Sequence, residues 1–287
     1  MIAGISRQGH AQGLSRQLRL EDKIPTYLGF IDQVRAFHPG MGLRAIYEQF
    51  EPEGIGRDAF IALGLGAGYR LKTYRSAFLT TRQGPGRRFP NLMRNLVLTD
   101  VNQVWLSDLT YYRLGEAHWY IVLIMDAYSR RILGYSVADN MRAENNLRAL
   151  NMALSLRGVN HYEQALVHHS DRGSQYTSDS YTGLLEERGI RISMCRSALE
   201  NAVCERLNGI IKNQYLHAWK VKTVGELKRR LPQAVHNYNH RNHGGIGKIT
   251  PIDFELELPR IPIQNRIKMK IFTLNEQTWN SAQLSLF

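Results

Sequence analysis

Three acids draw attention through the stretches that carry them. Asp108 lies inside an apolar, β-prone run, Trp105-Leu-Ser-Asp108-Leu-Thr-Tyr111. Asp171 follows a second such run, in His168-His-Ser-Asp171-Arg-Gly173, and Glu205 falls in a helical pattern, Asn201-Ala-Val-Cys-Glu205-Arg-Leu-Asn-Gly-Ile-Ile-Lys212. A carboxylate within a buried strand is costly unless it is paired or binds a cation. Each acid also has a plainer reading: an edge-strand Asp facing solvent, an Asp-led turn before Gly173, or a charge on a solvated helix face. Read together, on two strands and one helix, they form a set of oxygen ligands. Mg²⁺ is a hard ion that takes few carboxylates and completes its shell with water and phosphate. Two such ions, roughly 3.5–4 Å apart, activate an attacking oxygen and stabilise a leaving one in an in-line displacement.

The elements that must position these acids follow from periodicity. Residues 104–112, 119–126 and 131–137 are rich in β-branched, aromatic and apolar residues and are separated by short turns, which predicts an antiparallel meander. Ala143, Leu147, Leu150 and Leu154 then mark a helix, and residues 165–170 a short strand. A helix capped by Ser178 or Ser180 and carrying Tyr181, Leu184 and Leu185 ends at Gly189. Residues 190–194 are a fifth strand, residues 200–216 a helix, and Thr223-Val-Gly-Glu226 a capping box that opens another. Pro232 is expected to kink or break that last helix. The order β-β-β-α-β-α-β-α-α predicts an α/β fold with a mixed five-stranded sheet flanked by helices. On the 200–216 helix, Asn201, Glu205, Asn208 and Lys212 fall on one polar stripe, suited either to plain solvent exposure or to presenting a ligand and then touching phosphate.

Upstream, Ile31, Val34 and Phe37 recur at helical spacing until His38-Pro39-Gly40 stops the pattern. Leu43, Ile46, Tyr47 and Phe50 make one face of a short helix, and a second starts at Arg57 with Phe60, Ile61 and Leu63 inward. Two short helices joined by a Gly-bearing turn read either as a helix-turn-helix or as a plain helical hairpin. Residues 70–99 hold Arg70, Lys72, Arg75, Arg82, Arg87, Arg88 and Arg94 and no acid before position 100, the mark of a basic linker able to track a phosphate backbone. The whole chain of 287 residues has a formal net charge of +12, which favours a polyanionic partner. Its two cysteines, Cys195 and Cys204, exclude a disulfide framework and a C-x-x-C zinc module. No apolar run reaches the length of a membrane span and the N-terminus lacks a signal-peptide pattern, so the chain reads as cytoplasmic.

At these motifs the chain resembles bacterial insertion-sequence transposases of the retroviral-integrase superfamily, in particular the downstream-frame (orfB) product of elements that use frameshifting. The resemblance rests on His38-Pro-Gly-Met-Gly42, Asn102-Gln-Val-Trp-Leu-Ser-Asp108-Leu-Thr-Tyr111 and Met125-Asp-Ala-Tyr-Ser-Arg-Arg-Ile-Leu-Gly134. It continues through His169-Ser-Asp171-Arg-Gly-Ser-Gln-Tyr176, Asn201-Ala-Val-Cys-Glu205, and Tyr238-Asn-His-Arg241 before Thr250-Pro251. It implies a ribonuclease H-like core after a small helix-turn-helix domain, and Asp108, Asp171 and Glu205 as a catalytic D-D-E triad holding Mg²⁺ or Mn²⁺. It implies cleavage of DNA by water at 3′ ends, then attack of the freed 3′-OH on another phosphodiester, with Lys212 on DNA near the site. DNA contacts are expected also from Asn208, Arg87, Arg88 and Arg57, a homo-oligomer on element ends and target DNA, nucleoid association, and a partner from an upstream frame. Asp126 and His169 are expected to be structural. The loop before Asn201 is about two residues shorter than the common family form, and Asn242 stands where Pro is usual. The competing function is a catalytically silent, transposon-derived DNA-binding protein.

The expected division is a helical region over 1–71 with the helix-turn-helix at about 38–71, a basic linker over 72–100, the catalytic core over 101–258 and a tail over 259–287. The tail ends Gln283-Leu284-Ser-Leu286-Phe287. This resembles the short peptides that dock bacterial replication and repair proteins on the sliding clamp, and it reads equally as a fraying tail or a terminal strand packing on the core.

Overall fold

The computed structural model describes residues 7–72, 87–158, 166–195 and 201–270. The chain divides into two units, Met1–Ser76 with Asn213–Lys220, and Ala77–Lys212 with Val221–Phe287.

The first unit is built on three helices, α1 (Arg7–Phe37), α2 (Leu43–Phe50) and α3 (Arg57–Gly66). The apolar spacing of the α2 residues places Leu43 and Ile46 inward, and Glu51 ends the helix in the left-handed region at φ 42°. Tyr27, Ile31, Val34, Met41, Ile55 and Phe60 complete this small core. α1 is far longer than the few turns legible around Ile31, and it runs through Pro25. Phe37, expected inward, is 63% exposed at the last turn. Gly64 lets α3 approach α2: a Cβ there would meet both Leu43 methyls at 2.8 Å. In the same unit the Gly40 N–H donates to the Gln214 carbonyl at 2.8 Å, and His38 Nδ1 shares a hydrogen bond with the Tyr215 hydroxyl at 2.9 Å.

The second unit opens with β1 (Val97–Leu98), which pairs with β7 (Met269–Lys270) in a two-stranded antiparallel ribbon. Part of the expected loose linker and part of the expected tail are therefore joined to each other. Met93 and Leu98 are fully buried, and the Leu92 N–H donates to Ser193 Oγ at 2.9 Å.

The expected meander follows as β2 (Val104–Leu114), β3 (Ala117–Asp126) and β4 (Ile132–Ala138). After α4 (Ala143–Arg157), β5 (Val167–Ser170) joins β2 in parallel; after α5 (Asp179–Glu187), β6 (Arg191–Met194) joins β5 in parallel. The five-stranded sheet has the order β4-β3-β2-β5-β6. Parallel neighbours need helical crossovers, which is why the helices begin where the meander ends. Trp105, Val122, Ile124 and Leu133 from the sheet pack on Ala149, Leu150 and Ala153 of α4 and on Tyr181 and Leu185 of α5. Each fully buried side chain of that size is worth roughly 1.5–3 kcal/mol.

α6 (Ala202–Gly209) passes into a π-helical stretch, Ile210–Leu216, in place of the single regular helix expected. α7 (Val224–Asn239) carries the expected capping box at Thr223 and Glu226. It continues through Pro232, so that residue does not break the helix; Leu231, Ala234, Val235 and Tyr238 are buried around that position and hold the turn in place. Ser178 sits at the N-cap of α5, but its hydroxyl donates to the Gln175 carbonyl and caps no amide. α8 (Pro251–Glu257), capped by Thr250, delivers Glu255 to Arg157 and Arg131. The same Arg157 reaches Asp126, whose carboxylate also accepts from the N–H groups of Asn102, Tyr128 and Ser129. Asp126 is thus structural, as expected. Among the described residues no helix is long and apolar enough to cross a membrane.

Candidate active site

The parallel pairing of β2 with β5 matches Val104 with Val167, Trp105 with His168 and Leu106 with His169. Successive side chains alternate across a sheet, so Asp108 shares the face of Leu106. Asp171 lies just past the carboxyl end of β5, where parallel sheets place ligands. One of its carboxylate oxygens accepts from the Gly173 N–H at 3.0 Å, which fixes its rotamer.

Burial pushes the Asp108 carboxyl up to about 8, and the charges of Asp171 and, less strongly, Glu205 push in the same direction. The Leu109 N–H and Lys212 oppose them. α6 supplies the closest side chain: Asn208 Nδ2 donates to Asp108 Oδ2 at 2.6 Å. One turn on, the Lys212 ammonium sits 5.3 Å from the centre of the Tyr111 ring. Burial lowers the Lys212 pKa, against the pull of Asp108.

Glu205 itself is exposed on α6. Among the described residues no three His, Cys, Asp or Glu side chains close to metal-ligating distance. The donor set nonetheless suits a hard divalent ion. Its members carry oxygen donors, and burial first, then the charges of Asp171 and Glu205, raise the Asp108 carboxyl to about 8. A divalent cation relieves that repulsion directly.

Beneath the acids lies a buried polar layer. Ser107 Oγ and the Tyr176 hydroxyl share a hydrogen bond of 2.9 Å, and the Tyr181 hydroxyl shares one of 3.0 Å with His168 Nε2. Burial pushes His168 down to about 3, so the ring is neutral. His169 Nδ1 lies 2.8 Å from Ser193 Oγ in a packing role. Cys204 is buried, and burial together with the charges of Asp108, Cys195 and Asp171 raises its thiol well above the ordinary range. It is not poised as a thiolate nucleophile.

With this geometry the family can be assigned. The family Integrase core domain matches residues 99–198, and a second integrase-core family matches residues 188–251. The uncharacterized 31 kDa protein of insertion element IS600 from Shigella sonnei is 31% identical over 221 residues, 74% of this chain and 80% of that one. The transposase of insertion sequence IS904 from Lactococcus lactis is 30% identical over 195 residues, 66% of this chain and 74% of that one. This chain belongs to the insertion-sequence transposases of the retroviral-integrase superfamily. Its fold is shared with a chain in the cryo-EM structure of the simian T-cell lymphotropic virus intasome in complex with the PP2A regulatory subunit B56 gamma. There the TM-score is 0.52 at 16% identity, over 80% of this chain and 73% of that one.

Arg87 and Arg88 are exposed before β1, and Arg57 opens α3 with its guanidinium on Asp58 at 2.9 Å. Gln283, Leu284, Leu286 and Phe287 fall outside the described residues, as do Arg75 and Arg82. The expected polar stripe divides. Asn201 and Asn208 are buried while Glu205 is exposed, and the Asn208 amide points at Asp108. Tyr111 as the seat of Lys212 was not foreseen. Its place three residues after Asp108 on a strand was the one available signal.

Proposed function

We propose that this transposase cleaves DNA at the ends of its element and joins the freed 3′-OH to a target phosphodiester, using Asp108, Asp171 and Glu205 to hold Mg²⁺ or Mn²⁺. The observation that carries this reading is that the charge of Asp171, just past the end of β5, acts on Asp108, buried on the neighbouring parallel strand β2, with Glu205 acting on it too. Two bound ions supply the activation of the attacking oxygen and the neutralisation of the leaving one. The chain's own residues supply position. The Gly173 N–H orients Asp171, Asn208 holds one oxygen of Asp108, and Glu205 provides the third carboxylate from α6. Lys212 lies near the acids, as a contact to the phosphate next to the reacting one requires.

In this reading the helices of residues 1–71 bind the element's ends, with Arg57 on the phosphate backbone, and residues 72–100 form a basic track that includes Arg87 and Arg88. Residues 101–258 catalyse, and 259–287 form a tail. Joining two ends requires at least a dimer on DNA, and an upstream-frame product completes the enzyme. The Gln283–Phe287 peptide docks on the sliding clamp, a role tested by a pull-down with purified clamp before and after deletion of the last five residues.

The test of the enzymatic reading is Asp171→Asn on terminal-repeat DNA in Mg²⁺. The variant is expected to bind ends and not cleave them. Cleavage at the wild-type rate overturns the assignment.

A further inference from the structure

Buried asparagines normally satisfy both ends of the amide. Asn208 does not. The residue is 5% exposed, its Nδ2 donates to Asp108 Oδ2 at 2.6 Å, and its buried Oδ1 accepts no hydrogen bond. The donor end is engaged on a carboxylate and the acceptor end on nothing, an arrangement that packing alone does not call for. The donor is also well matched to its target. Asp108 is crowded by the negative charge of Asp171 and Glu205, and an N–H donor favours its ionised form.

We propose that Asn208 is a positioning residue for divalent-cation binding: by holding Asp108 Oδ2 it fixes the carboxylate in one orientation for the cation, and it does not serve as a DNA contact. This deepens the reading of Asp108 as a metal ligand and rests on it. Residues that orient metal ligands typically govern affinity by roughly 10–100-fold. Asn208 is therefore expected to set how much divalent ion the enzyme needs and to leave its grip on DNA ends unchanged.

The experiment measures Mn²⁺ binding to the full chain by electron paramagnetic resonance, together with end-DNA binding by fluorescence anisotropy in EDTA. It uses wild type, Asn208→Leu, Asn208→Ala and Asp108→Asn. Leu removes the donor at nearly constant volume, and Ala removes it without adding any group that could clash or ligate. One of the two is expected to fold even where the other does not, and circular dichroism reports which. The proposal expects Mn²⁺ affinity to fall roughly 10–100-fold in either Asn208 variant, with DNA affinity in EDTA within about twofold of wild type. Wild-type Mn²⁺ affinity in both folded variants, with the affinity lost in Asp108→Asn, overturns the role of Asn208 and leaves the metal reading standing. A loss of DNA affinity without a change in Mn²⁺ affinity makes Asn208 a DNA contact. Equal Mn²⁺ binding by wild type and Asp108→Asn removes the metal reading and this inference together.

Discussion

Asp108 on β2 and Asp171, just past the end of the neighbouring parallel strand β5, are close enough that the charge of Asp171 raises the Asp108 carboxyl beyond what burial alone does. In the metal-free protein that closeness is a cost. Asp108→Asn replaces a buried carboxyl, whose ionisation is opposed by burial and by Asp171, with a neutral amide that still offers an oxygen to Asn208. The variant is expected to melt a few degrees above wild type in EDTA. About 1 kcal/mol is worth roughly 2–4 °C for a domain of this size. It should then lose the stabilisation that Mn²⁺ gives wild type. Thermal melts in EDTA and in Mn²⁺ check both signs; an unchanged or lower melting point in EDTA contradicts the repulsion.

Lys212 is held over Tyr111, within reach of the charge of Asp108. Lys212→Ala is expected to weaken end binding on all sequences alike and to reduce the slope of log affinity against log salt by about one. Tyr111→Leu should give a smaller loss of the same kind, and Tyr111→Phe, which keeps the ring, almost none. Binding isotherms at several salt concentrations decide this.

α4 crosses the sheet at Gly134 of β4, where an added Cβ would lie 2.0 Å from the Ala149 carbonyl oxygen. Backbone cannot yield there without separating α4 from the sheet. Gly134→Ala is expected to destabilise the second unit by about 1–3 kcal/mol, the usual cost of overpacking. Urea denaturation read by tryptophan fluorescence measures it, and a neutral substitution contradicts the packing described.

Glu255 gives a pH signature. Burial raises its pKa, but hydrogen bonds from Arg157, Ser129 and Arg131 and the charge of Arg157 outweigh that, and the net shift is downward. A carboxyl depressed in the folded state contributes stability that is present above its unfolded pKa and is lost as pH falls through the folded value. Burial pushes Asp126 the other way, against the pull of Arg157. The contacts of 2.7 and 2.8 Å from Arg157 run to Glu255, and that of 3.4 Å to Asp126, so Glu255 is the principal partner. Glu255→Gln should lower the melting point at neutral pH and flatten its fall below about pH 4.5. Parallel pH melts that keep the wild-type slope contradict this.

Much of the core was legible because alternation and spacing act locally. The three strands of the meander, the turn at Gly189 and the capping box at Thr223 and Glu226 each depend on residues a few positions apart. The three acids stood out in a different way: each alone has a plainer local reading, and only their occurrence together on two strands and a helix, with the family resemblance, singled them out. What escaped depends on contacts distant in sequence. β1 finds β7 across most of the chain, and Glu255 meets Arg157 98 residues away. α1 runs beyond its recognisable apolar face and through Pro25, and propensity alone would have stopped it there. Asn208 shared a stripe with Glu205 in sequence, but only the packing of α6 on β2 shows that its amide turns inward to Asp108 while Glu205 stays exposed.

The most direct measurement is anomalous diffraction from crystals of the full chain soaked with Mn²⁺. The account predicts a Mn²⁺ peak between the carboxylates of Asp108 and Asp171, with Glu205 turned to it, and no such peak in Asp171→Asn crystals. A well-ordered site with both aspartates in place and no anomalous density, or density bound elsewhere on the chain, would contradict it.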